Sequence, residues 1–263
     1  MGFRIGKTLQ KITLGAAVAL MPAAALATPS TTYWAPSVAT CQPFAVPHIT
    51  YDTYYWANAA YPIDTGLTMG IVNSSKVQAE IGYDLLMPGQ NPTQFYLNGK
   101  LCITENTMGK GAPAISVGVY NIGLHGEKSV VPNNFNTLYV MAQKSLPVGG
   151  YVAGGFYHGL GPDGLYTNSE GKLVKTGALV GWFSPDIKVG LTGLSKIDLT
   201  ADVQTGKNIL GAGGFGVYFY FNDYVDLLVG PVFYFDKALQ PGGNSHLWTT
   251  QIDVDIPLGK KKP

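Results

Sequence analysis

Residues 76 to 86 read KVQAEIGYDLL, in which Val77, Ala79, Ile81, Tyr83 and Leu85 fall on one face of an extended chain and Gln78, Glu80, Gly82 and Asp84 on the other. That alternation is the signature of a β-strand, because successive side chains of an extended backbone point to opposite sides. KIDLTADVQ, residues 196 to 204, repeats the pattern: Ile197, Leu199, Ala201 and Val203 oppose Lys196, Asp198, Thr200, Asp202 and Gln204. Near the C-terminus Trp248, Thr250, Ile252, Val254 and Ile256 alternate with Thr249, Gln251, Asp253 and Asp255. The apolar face stays apolar while the other face carries charge. Together the three stretches predict an all-β chain whose strands show one face to an apolar medium and the other to a polar interior.

Working outward, nine more stretches carry the same period: 48–57, 63–72, 94–103, 114–122, 136–144, 148–158, 173–183, 210–221 and 224–235. The sum is an antiparallel transmembrane β-barrel of about twelve strands spanning residues 48–258. Pro231 weakens the case for 224–235, since proline has no N–H to give to a ladder. The links alternate as a barrel's should, with tight turns at Asn73-Ser74-Ser75, Ser145 to Gly149 and Asn222-Asp223. Longer polar links, Gly123 to Asn134 and Leu160 to Gly171, fall at the opposite end. Ser184 to Ser195 is the exception, long where a short turn is expected, although part of it fits as an extension of a neighbouring strand. Aromatic clusters such as Tyr54-Tyr55-Trp56 and Phe233-Tyr234-Phe235 stand at strand ends, where interfacial girdles lie.

The first 27 residues read as a cleaved secretory signal: Arg4, Lys7 and Lys11, then an apolar run from Ile12 to Met21, then Ala25-Leu26-Ala27. Polar, proline-containing sequence separates this run from Val38-Ala39-Thr40-Cys41, which therefore does not read as a lipoprotein box. The leader holds three of the 17 Lys and Arg, so 14 remain against 16 Asp and Glu, and Arg4 is the only arginine. A processed chain without arginine is poorly suited to nucleic acid or phosphate. With 34 Gly and only 13% charged residues, the composition is that of a strand-rich, weakly charged protein.

The leader, the alternating strands, the Asn222-Asp223 turn and DVQTGKN at 202–208 resemble the small, porin-like outer-membrane β-barrel proteins of Gram-negative bacteria, several families of which have no assigned function. The resemblance implies a bacterial outer-membrane location, with membrane lipid, lipopolysaccharide and the outer-membrane assembly machinery as partners. One departure is plain: such barrels end their last strand on an aromatic residue, whereas this chain closes on Ile256-Pro257-Leu258 and a basic tail, 259–263. A soluble β-sandwich would show the same period. Small residues on a presumed inner face, such as Ala114, Ser116 and Gly118, argue against it, as does the scarcity of Lys and Glu outside loops.

Chemical motifs are few. Gly211-Ala-Gly213-Gly-Phe-Gly216 matches a dinucleotide fingerprint but leads into Val217-Tyr-Phe-Tyr-Phe, a strand and not the helix that site requires. His48, His125, His158 and His246 show no metal-ligand spacing, so neither a metal nor a cofactor is expected. Ser245-His246 precedes the last strand with no orienting acid assignable, and enzymatic activity is not the leading expectation. The lumen-lining set is expected to be Glu80, Asp84, Lys196, Asp198, Asp202, Asp253 and Asp255. Carboxylates inside a membrane protein need water or a partner, which leaves a wet, cation-preferring pore for small polar solutes and a filled interior both open. The second case would be a non-conducting barrel that serves as a structural, adhesion or lipid-modifying platform through its outer loops.

Cys41 and Cys102 are the only cysteines, and an exported chain with two favours a disulfide. Counting Leu97, Leu101 and Ile103 as lipid-facing turns Cys102 toward the lumen. Residues 28–47 would then form either a loose periplasmic segment or a partial plug, with Trp34 and Phe44 as apolar contacts.

Overall fold

A computed structural model describes residues 31–55, 63–87, 94–123 and 134–258. The leader, the links 56–62, 88–93 and 124–133, and the tail at 259–263 lie outside the described residues. Twelve strands run in chain order: β1 (Pro47–Tyr55), β2 (Ile63–Gly70), β3 (Val77–Met87), β4 (Gln94–Ile103), β5 (Ala114–Gly123), β6 (Thr137–Ser145), β7 (Tyr151–Gly159), β8 (Thr176–Phe183), β9 (Lys196–Gln204), β10 (Ala212–Tyr220), β11 (Val225–Tyr234) and β12 (His246–Asp255). Each pairs antiparallel with its sequence neighbours, and β1 closes the sheet on β12 through His48↔Asp255 to Tyr55↔Trp248. Closure leaves no sheet edge, so every strand finds ladder partners on both sides.

The closed sheet has two faces of opposite character. Ile81, Phe156, Phe215 and Trp248, at 54%, 66%, 57% and 52% exposure, stand outward among many aliphatic neighbours. Inward positions of the same strands, including Glu80, Asp198, Asp226 and Asp253, are buried. This is the reverse of a soluble domain, which turns its large apolar residues in. Among the described residues no helix is long and apolar enough to cross a membrane.

Two local features bear on the interior. Pro231 does sit in β11, opposite Trp248 of β12, and the register on its other side skips Phe215 and Gly216 of β10. The ladder tolerates it because neighbouring strands hold β11 on either flank. A register shift between Leu97 and Gly99 of β4 marks a bulge in the pairing with β5, where Asn121 takes a positive φ of 52°. The long link at 184–195 is partly strand-like, since Ile187 bridges Ile197 through two backbone hydrogen bonds of 2.9 Å.

Candidate functional site

The lumen divides into a near end, where Pro47 and Asp255 lie, and a far end. Residues 31–46 run inside the barrel from the near end, at Phe44, to the far half, at Tyr33 and Trp34, and touch the walls in turn. Phe44 bridges Gly70 of β2, the Gln42 amide donates to Glu80 of β3, and the Ala39 amide donates to Gln143 of β6 at 2.9 Å. Beyond, Thr32 accepts from Thr200 of β9, and the Tyr33 hydroxyl donates to the Pro231 carbonyl of β11 at 3.0 Å. Cys41 is disulfide-bonded to Cys102, whose side chain faces inward on β4.

The segment's central anchor is one carboxylate. Asp202 Oδ2 accepts from the amides of Tyr33, Trp34 and Ala35 at 3.0, 3.0 and 2.9 Å and from the Ser37 hydroxyl at 2.8 Å. Consecutive amides converging on an anion form a nest, and a buried charge so satisfied holds its partners firmly. Tyr33 lies on a floor of glycines: a Cβ on Gly214 would stand 2.4 Å from its ring, and one on Gly216 2.7 Å. Within the glycine-rich run at 211–216, Gly214 and Gly216 thus serve close packing of Tyr33 against β10. Trp34 packs edge-on to Tyr54 and Tyr234, with ring centroids 5.5 and 6.2 Å away. Phe44 does not join these apolar contacts; it is 49% exposed, because the chain there turns out along β2 to start β1.

The seven residues expected to line the lumen all fall on inward faces, but in four different settings. Glu80 and Asp84 border an open cavity, and Glu80 is also ion-paired with Lys100 at 3.1 Å. Lys196 bridges Asp186 and Asp198, each at 2.8 Å, so this pair belongs to the near rim. Asp253 and Asp255 flank the buried His48 at 3.4 and 3.0 Å, with Gln42 donating to Asp255 at 2.7 Å. Asp226, opposite Asp253 in the ladder, is fully buried there without a hydrogen-bond partner for either oxygen. Asp202 is covered by the N-terminal segment.

The cavity itself, about 410 Å³, runs along β1 from His48 to Tyr54, with Thr31, Tyr33, Trp34 and Pro36 on one side as its floor. Its walls hold two carboxylates that the alternation of the strongest strands did not single out, Asp52 of β1 and Asp64 of β2, which are direct cross-strand neighbours. Asp84 completes the group and accepts from Asn98 of β4. The β5 bulge brings two adjacent residues, Tyr120 and Asn121, to the same wall, a re-aiming that a regular strand cannot achieve. Reading 48–57 at period two from His48 would have put Asp52 and Tyr54 inside.

Ser245 and His246 are adjacent, with Oγ and Nδ1 3.3 Å apart, and both are exposed. Among the described residues no carboxylate is bonded to that histidine, which instead tilts against the ring of Phe233. Nor do three His, Cys, Asp or Glu side chains among the described residues converge to hold a metal ion. No known family model matches the chain, and no curated protein shows significant similarity to it.

Proposed function

We propose that the chain is a narrow, porin-like channel of a bacterial outer membrane, preferring small polar or cationic solutes and needing no cofactor. The observation that carries this reading is the inversion of the two faces: a closed sheet with an apolar exterior and carboxylates inside. A backbone in lipid must satisfy its own hydrogen bonds, and a closed barrel does so with strands alone. The carboxylates lower the barrier for cations in a low-dielectric tube. Lipid and lipopolysaccharide would contact the outer face, and the assembly machinery would insert the chain after its leader is removed.

Two measurements test the proposal. Detergent extraction of outer-membrane fractions should release a protein whose unheated form migrates differently from the boiled one. Planar bilayers carrying it should show a reversal potential favouring cations in a salt gradient. A freely soluble periplasmic monomer would refute the membrane assignment, and a well-inserted barrel without conductance would refute the channel. One observation favours the non-conducting platform instead: residues 31–46 lie inside the barrel and are fastened at Cys102, Gln143 and Asp202.

A further inference from the structure

We infer that the cavity above Trp34 is a binding site for a small organic cation, an ammonium or guanidinium group carried on a compact apolar body. The inference rests on the channel reading above and names the solute class for it. Three features of the walls converge on that chemistry.

The first is uncompensated charge. Asp52, Asp64 and Asp84 face the cavity, while no lysine lines it among the described residues, and Lys100 is committed to Glu80. Its one basic lining group, His48, stands between Asp253 and Asp255. Asp52 Oδ1 and Asp64 Oδ1 are shut off from solvent and accept no hydrogen bond. Asp52 and Asp64 are direct cross-strand neighbours that repel each other as anions, and a cation in the cavity they line relieves that repulsion.

The second is the aromatic surface. Trp34 forms the floor, with Tyr54, Tyr96 and Tyr120 on the walls. Ring faces attract cations and cover apolar groups, whereas a bare metal ion would gain nothing from four large rings. A volume near 410 Å³ falls within the range of small-molecule sites and far exceeds what one hydrated ion needs.

The third lies across the lumen. Gln204 is 2% exposed and lines the same cavity; its Oε1 accepts from the Tyr120 hydroxyl at 2.8 Å, and its Nε2, which borders Tyr157, is a hydrogen-bond donor. A donor of this kind fits a hydroxyl or carbonyl oxygen on the far side of the ligand. The site therefore distinguishes polarity along its occupant: a positive end toward β1 and β2, an acceptor toward β9.

Benzylammonium and its neutral counterpart, benzyl alcohol, are the probes. Titration calorimetry on the folded, detergent-solubilised full chain at constant ionic strength should give 1:1 binding of benzylammonium at least ten times tighter than benzyl alcohol. Asp52→Asn with Asp64→Asn should weaken the cation at least tenfold and leave the alcohol unchanged; Trp34→Leu should weaken both. Altered migration of the unheated protein verifies that each variant is closed. Equal affinity for the two probes, an unaffected double variant, or no benzylammonium binding would overturn the inference. Cation binding without any conductance would uphold the site and remove the channel reading, while conductance without binding would do the reverse.

Discussion

Asp202 accepts the Ser37 hydroxyl at 2.8 Å across 165 residues of sequence, and the same oxygen gathers three successive amides of the N-terminal segment. A carboxylate that reads from its strand as a free lumen charge is thus the clasp of the N-terminal segment. Removing it should act on the opening more than on ion selectivity.

Asp202→Ala is therefore expected to raise single-channel conductance severalfold, with little change in the cation-to-anion permeability ratio. Hydrogen bonds to a charged acceptor contribute about 1.5–3 kcal/mol each, enough that losing them together frees the segment for much of the time. Bilayer recordings of wild type and variant at matched salt decide this. A lost cation preference with unaltered conductance would return Asp202 to the role of a selectivity charge.

The disulfide supplies the second fastening. Reduction, or Cys102→Ser, should raise conductance less than Asp202→Ala does, because Asp202 and Gln143 still hold the segment. Combining Cys102→Ser with Asp202→Ala should exceed the product of the single effects, since either tie alone restrains the same chain. Strictly multiplicative behaviour would mean that the two ties act on separate elements.

Gly214→Val tests the glycine floor. The new Cβ would meet the Tyr33 ring at 2.4 Å and the Pro231 carbonyl at 2.5 Å, so Tyr33 must leave. Overpacking of this kind costs about 1–3 kcal/mol. Protease nicking before Cys41 should become faster in the folded variant while the barrel remains heat-modifiable; unchanged protection would show that the segment does not depend on that contact.

A pH effect is expected at the near-end link after β4. Partial burial alone would raise the pKa of Glu105, but hydrogen bonds from Lys144 and Ser145 outweigh it and hold the carboxyl below its ordinary range. A carboxylate depressed in the folded state lends stability above its unfolded pKa and loses it as pH falls through the folded value. Wild type should therefore exceed Glu105→Gln by about 0.5 kcal/mol at neutral pH, the scale of a partly exposed pair, with the gap closing in acid. Urea midpoints of the two proteins across that range measure it, and a gap that widens in acid would contradict the sign.

Strand number and inward facing were legible because a period of two is imposed on every strand by the closed wall, and KVQAEIGYDLL or KIDLTADVQ shows it with charge on one side only. The Cys41–Cys102 pair followed from there being no third cysteine. The path of residues 31–46 was not legible in detail: the segment has no period, and its amides reach targets on four different strands, β2, β3, β6 and β9. Asp52 and Asp64 escaped notice for another reason. HITYDTYY carries threonine and tyrosine on both faces and IDTGLTMG threonine on both, so neither shows the contrast of polar and apolar faces that marks KVQAEIGYDLL.

A closed sheet is a hoop, and nothing in its hydrogen bonding prevents a hoop from flattening into an oval. The N-terminal chain joins Cys102 on one wall to Pro231 on the other, with Asp202 between, and so acts as a strut across the cross-section. Wall spacing along that line is then fixed by a covalent bond at one side and buried polar contacts at the other. Because Trp34 is part of that strut while Tyr54 and Tyr234 belong to the hoop, the roundness of the barrel also sets the distance between the rings.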